Sequence, residues 1–152
     1  MLKNLKRKTI IFVAIAFSVV MVFLILFFTL SGYAHFKRVT AEAGRISGFY
    51  GKGFNYLELD TKPIVTPYDE MTAVQKNIHL QQETKAIQAI KHTNEELGFG
   101  QSLYAKMYLT TEYMGAQRIA NDKYIVTWTY NKDKGLEVKY QIKTFAMFKI
   151  GV

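Results

Sequence analysis

Three histidines and twelve acidic side chains are the groups in this 152-residue chain that could ligate a metal or move a proton. His79 stands four positions before Glu83, and His92 stands three and four before Glu95 and Glu96. On a helix such pairs share a face and could offer ligands to an ion. There is no H-E-x-x-H, and His79 and His92 lie about 20 Å apart along a straight helix, too far to meet on one metal. The spacing therefore predicts solvated i,i+4 pairs and no metal. Asp69-Glu70 and Glu95-Glu96 are paired acids, but neighbouring helical positions point about 100° apart, so surface charge is expected. Gly48-Phe49-Tyr50-Gly51-Lys52-Gly53 looks like a phosphate loop, yet Lys52 precedes a glycine and no helix is expected to start directly after it, so it predicts a flexible linker. No G-x-S-x-G is present, and the absence of cysteine removes a thiol nucleophile, a thiolate metal site and a disulfide scaffold. The expectation is a protein with no catalytic, cofactor-binding or metal residues, hence not an enzyme.

The residues around this sparse chemistry divide sharply. Ile10–Leu30 contains no charge, glycine or proline, whereas all 12 acids lie after it. A helix of this length spans about 30 Å, the thickness of a bilayer's hydrocarbon core. Lys3, Lys6, Arg7 and Lys8 precede the run, and Tyr33, Phe36, Lys37 and Arg38 follow it as an aromatic and basic collar suited to the membrane interface. The expected organisation is a basic cytoplasmic N-terminus (1–9), a transmembrane helix (10–31), a Gly-rich juxtamembrane stalk (32–53) and an extracytoplasmic domain (54–152). By the positive-inside rule the N-terminus is cytoplasmic and the domain lies outside a plasma or inner membrane. A cleaved signal peptide is the rival, with Ala41-Glu42-Ala43 as its site. The apolar run is too long for one, and the site lies ten residues beyond it.

In the domain, Phe54–Asp60 reads as a short strand ended at Lys62-Pro63. Thr66-Pro67 then opens a helix that runs to Leu97, with Gly98 as its C-terminal cap. Met71, Val74 and Ile78 share one face, and Ala86, Ile87, Ala89, Ile90 and Leu97 another, so the helix either carries a wide stripe or kinks near Gln81–Lys85. Leu103–Thr110 alternates and predicts a strand, with Tyr113–Ile119 a weaker one. Tyr124–Tyr130, a five-residue loop 131–135 and Leu136–Lys143 form a hairpin with one apolar and one wet face, the mark of an antiparallel sheet. Phe145–Ile150 is read as a possible continuation of it. The fold class is α+β: one transmembrane helix, then a long helix packed on a sheet of three to five antiparallel strands. In element order alone, over roughly Phe54–Ile150, this resembles cystatin-like and NTF2-like domains, which bacterial envelope proteins often carry behind a single anchor.

Of 20 basic residues four precede the apolar run, leaving 16 against 12 acids in the remainder. Lys132, Lys134, Lys139 and Lys143 gather at the last hairpin, where lysines also discourage edge-to-edge pairing. Glu137, Lys139, Gln141 and Lys143, on the wet face, and Tyr104 and Tyr108, among ten tyrosines, are the candidate partner-binding residues. The expected partners are the lipid bilayer, other envelope membrane proteins and a second copy, with no nucleic acid and no cofactor. The functional expectation is a non-enzymatic assembly component of a bacterial envelope complex, such as a secretion or conjugation apparatus or a sensor's companion subunit. The alternatives are an anchored domain holding a small ligand and an enzyme whose site is assembled from distant residues.

Overall fold

A computed structural model describes residues 2–30, 32–48, 50–62 and 68–143, with side chains over 10–26, 32–48, 50–62 and 69–143. Pro63, the Thr66-Pro67 cap and the Phe145–Ile150 extension lie outside the described residues. The chain divides into two compact units, Met1–Ala34 and His35–Val152.

The first unit is built on α1 (Leu2–Leu30), an unbroken helix. Its described side chains, Ile10 to Leu26, are exposed on every face. Among the described residues no helix is long and apolar enough to cross a membrane. The apolar run of the sequence continues into Phe27–Leu30, whose side chains lie outside the description.

The second unit starts earlier than the sequence predicted. Residues expected to form a stalk make α2 (Tyr33–Ser47), with Phe36, Val39, Thr40, Ala43, Gly44 and Ser47 buried along one stripe. That spacing of three and four is the helical signature. The helix stops at Gly48, whose N–H donates to the Gly44 carbonyl from a left-handed conformation. Gly44 lies so close to the Tyr50 ring that a methyl group has no room there. The Gly-rich stretch is also ordered, for Gly51–Lys52 (β1) pairs antiparallel with β2 (Tyr56–Asp60).

The long helix, α3, spans Ala73–Glu96 as one element, so of the two alternatives, a wide stripe or a kink or break near Gln81–Lys85, no break occurs there. Its cap is Thr72, whose hydroxyl accepts the Gln75 N–H while Gln75 Oε1 accepts the Thr72 N–H. This capping box satisfies two otherwise unpaired donors. The C-terminal half buries Ala86, Ala89, Ile90, Thr93 and Asn94, and Gly98 ends it as predicted. Val74, Ile78 and Leu80 in the first half are exposed, and one helix therefore needs no single wide stripe.

The predicted strand at Leu103–Thr110 is instead a short helix, α4 (Ser102–Tyr108), which buries Leu103 and Met107. Residues four apart serve a helix face as well as residues two apart serve a strand, and in a short run the pattern does not separate them. A 3-10 turn (Glu112–Met114) leads into β3 (Gln117–Ala120). The predicted hairpin is present as β4 (Tyr124–Asn131) and β5 (Gly135–Ile142), with Asn131 paired to Gly135 around three loop residues. Asn131 Oδ1 accepts the Asp133 and Lys134 N–H groups, an Asx turn that tightens the loop.

The unit is α+β, with one five-stranded antiparallel sheet in the order β1-β2-β5-β4-β3. One face carries Leu57, Leu59, Tyr124, Val126, Trp128, Leu136, Val138, Tyr140 and Ile142, all buried. The helices cover it. Phe36 of α2 stacks on Tyr124 with ring centres 5.9 Å apart. The Tyr140 hydroxyl donates to Asn94 Oδ1 on α3 at 2.7 Å, and Trp128 Nε1–H donates to Thr110 Oγ1 just past α4 at 2.8 Å. The single covering helix of the sequence reading is thus replaced by three.

Candidate binding surface

Three polar or aromatic regions of the second unit could meet another molecule. The first is a cleft of about 640 Å³ bounded by α3, α4, the 3-10 turn and the tip of the β4–β5 hairpin. Its floor is Ile87, Met107 and Leu136, and its walls carry Tyr104, Tyr108, Tyr113 and Tyr130. The local sequence explains the arrangement. Once Leu103 and Met107 face inward, the helical period sets Tyr104 and Tyr108 together on the outer flank, with ring centres 6.4 Å apart. Lys91 Nζ lies 4.7 Å above the Tyr104 ring. Burial, helped by the Glu83 carboxylate and the Tyr108 phenol group, raises the Tyr104 pKa. Tyr108 is 76% exposed and Tyr113 91%, with Leu109 and Met114 exposed beside them. Charge of both signs borders the cleft: Lys62, whose ammonium donates to the Lys132 carbonyl, and Lys132 at the hairpin tip, Glu83 from α3, and Glu112 from the turn.

The second region is the open face of the sheet. Glu58, Asp60, Thr127, Thr129, Glu137, Lys139 and Gln141 line a shallow depression of about 560 Å³. Cross-strand register makes this face pair with itself. Lys139 is opposite Glu58 and Thr127, and its ammonium reaches Glu58 Oε1 at 2.6 Å while lying 4.5 Å above the Tyr56 ring. Glu137 receives Lys134 at 3.6 Å. Asp60 has a raised pKa, first because it is half-buried and then because Glu137 and Glu58 stand close, with Lys134 opposing them.

The third region is the seam between α2 and α3, and it holds two of the three histidines. His92 does not pair along its own helix, as the sequence predicted, but across the seam to Glu42 at 3.2 Å. His35 Nε2–H donates to the Glu96 carbonyl at 2.7 Å, and its Nδ1 accepts from Arg38, which also reaches the Glu96 carboxylate at 3.5 Å. His79, read as part of a solvated pair, is buried. Among the described residues no group of three or more His, Cys, Asp or Glu is placed to hold a metal ion.

The candidates of the sequence reading separate accordingly. Tyr104 and Tyr108 meet in the cleft, on a helix rather than a strand. Glu137, Lys139 and Gln141 share the open sheet face and are half-buried, with Glu137 and Lys139 engaged in ion pairs. Lys143 lies just past β5, its N–H donating to the Lys123 carbonyl. Of the interfacial collar, Phe36 is fully buried and belongs to the core, which corrects that reading. Lys37 donates to the Gly53 carbonyl and lies over the Phe54 ring, and Arg38 is held in the α2–α3 seam. Tyr113, read as the start of a strand, lies instead in the 3-10 turn and joins the cleft through that turn. Its signal was the Thr111-Glu112 step, which suits a short helical turn. No family model matches the chain, and neither a curated protein nor a solved structure matches it.

Proposed function

We propose that the chain is a non-enzymatic, single-pass membrane protein whose second unit mediates protein–protein assembly in a bacterial envelope complex. In this reading α1 is a retained anchor, the four cations before it are cytoplasmic, and the unit from His35 onward is extracytoplasmic. A helix that is apolar and exposed on all faces needs an apolar medium, and the run in the sequence has the length of a bilayer core. The complex belongs to the class of secretion or conjugation machinery, or of sensors with companion subunits.

The observation that carries the assembly reading is the cleft beside Tyr104, Tyr108 and Tyr113. Tyrosine offers a large apolar area and a hydroxyl at little entropic cost, and interface energy concentrates on such residues. An apolar segment of another envelope protein, flanked by charges of both signs, fits this surface and its Lys62, Lys132, Glu83 and Glu112 border. The cleft volume also falls in the range of about 300–1,000 Å³ typical of small-molecule sites, which favours an anchored ligand-binding domain as the second reading.

The test places a photoreactive side chain at Tyr108 or Tyr113, and at exposed Gln88 as a control, in the full chain within membranes. Adducts with one protein from positions 108 and 113, and none from 88, support the reading. Tyr108→Ala with Tyr113→Ala should lower recovery of that protein about tenfold, which corresponds to about 1.4 kcal/mol, while the unfolding midpoint is unchanged. Unchanged recovery of that protein with the double variant refutes it. Stabilisation by a small apolar probe, without any protein adduct, selects the second reading.

A further inference from the structure

The sheet has two edges, and they are unequal. β1 is only Gly51–Lys52 and ends in a charge, the usual protection of an edge. β3, at the other end, has no proline and no lysine, and its Arg118, Ile119 and Ala120 are all exposed. Among the described residues, the main-chain geometry tells which groups are open. The Asn121 N–H donates to the Tyr124 carbonyl at 3.0 Å, and the same register opposes Ala120 to Ile125, Ile119 to Val126 and Arg118 to Thr127. In an antiparallel ladder hydrogen-bonded and non-bonded pairs alternate. Asn121 and Ile119 therefore bond to β4, whereas the N–H and C=O groups of Arg118 and Ala120 point away from it, toward the open side.

We infer that β3 pairs antiparallel with β3 of a second copy, about a two-fold axis at Ile119, making one continuous sheet through both. This register opposes Arg118 to Ala120 of the second copy and Ala120 to its Arg118. Each pair then exchanges both main-chain hydrogen bonds, because all the groups concerned are already aimed outward. Ile119 meets Ile119 at the central non-bonded pair, where side chains are closest, on the face the helices cover. The neighbouring registers are worse. An axis at Arg118 sets two guanidinium groups opposite each other. An axis at Ala120 brings Arg118 toward Asp122, but the strand has ended there, and the Asn121 and Asp122 backbone turns into β4. At one register only, the edge thus satisfies its outward main-chain groups and sets no like charges directly opposite each other. The inference is independent of the cleft and of the anchor.

The chain has no cysteine, so single cysteines report cleanly. At a non-bonded antiparallel pair Cα atoms are about 4.5 Å apart, within the range of about 4.4–6.8 Å that a disulfide requires. Full-length Ile119→Cys, oxidised gently in the membrane, should give a dimer that reductant dissolves. Arg118→Cys and Ala120→Cys should each give at least fivefold less, and the double variant Arg118→Cys/Ala120→Cys should restore it. Ala120→Pro removes only an outward N–H, a place where an edge strand tolerates proline. Added to Ile119→Cys, it should abolish the cross-link while the fluorescence of Trp128, the only tryptophan, shows an unchanged unfolding curve. No cross-link at 119 in a folded chain, a stronger one at 118 or 120, or one indifferent to Ala120→Pro overturns the inference. So does a cross-link from 119 to a different protein.

Discussion

Tyr140 offers the sharpest test of how the helical layer is fixed to the sheet. Its side chain is fully buried, and its hydroxyl donates to Asn94 Oδ1 at 2.7 Å and lies 3.3 Å from the Ile90 carbonyl. Asn94 is equally buried, and its amide nitrogen faces Met107 Sδ of α4 at 3.7 Å. One hydroxyl therefore joins the central strand to α3 and, through Asn94, to the helix that carries the cleft. Tyr140→Phe keeps the ring and removes the donor. A typical hydrogen bond contributes about 0.5–1.5 kcal/mol net, but an acceptor left buried without a partner costs about 1–3 kcal/mol. The expected loss is about 2 kcal/mol. Asn94→Leu alone removes the shorter bond and leaves the hydroxyl only the 3.3 Å contact with the Ile90 carbonyl, so it should also destabilise, whereas the double variant should cost less than the sum, with a coupling of about 1 kcal/mol. Denaturant unfolding of the full chain in mild detergent, followed by Trp128 fluorescence, measures all four corners of the cycle. Strict additivity, or a Tyr140→Phe midpoint equal to the parent's, refutes the reasoning.

The same burial holds the Tyr140 pKa well above 10, so above pH 10 the unfolded chain releases a proton that the folded one keeps. This contribution is intact below pH 10 and is lost as pH rises, by up to about 1.4 kcal/mol per pH unit, and Tyr140→Phe should flatten stability measured between pH 9 and 11. Asp60 has a raised pKa as well, so its ionised form at neutral pH opposes folding, beside Glu58 and Glu137. Asp60→Asn should raise the melting temperature at pH 7, and the advantage should vanish as pH falls below 4. Gly135 has φ of 71°, and a Cβ there would collide with the Thr61 hydroxyl that accepts the Leu136 N–H. Gly135→Ala should therefore cost more than about 1 kcal/mol by the same unfolding assay. Lys139→Glu sets a second carboxylate against Glu58, so a fall of about 0.5–1 kcal/mol is expected, smaller at high salt.

Local sequence determined a good deal of this protein. The hairpin of β4 and β5 was legible because strict alternation is a signal that a strand carries within itself, from Leu136 to Ile142. So was the end of α3, since Gly98 can take the left-handed conformation its cap requires. The charge-free run Ile10–Leu30 and its basic flank are likewise properties of composition alone. Other elements depended on what lies across from them. Residues 33–47 are polar on average, and their six-residue stripe became visible as a helix face only when Tyr124 and α3 were there to cover it. Leu103 and Met107 suit a strand or a helix equally, and burial of both, with Met107 against Asn94 of α3, goes with the helix. That choice moved Tyr104 and Tyr108 from a sheet to the wall of a cleft. Histidine pairing was decided in the same way: Glu95 and Glu96 are near His92 in sequence, but Glu42 on α2 is the carboxylate that reaches it. Periodicity records which side of an element is apolar, and only the tertiary arrangement supplies the neighbour that gives each polar side chain its partner.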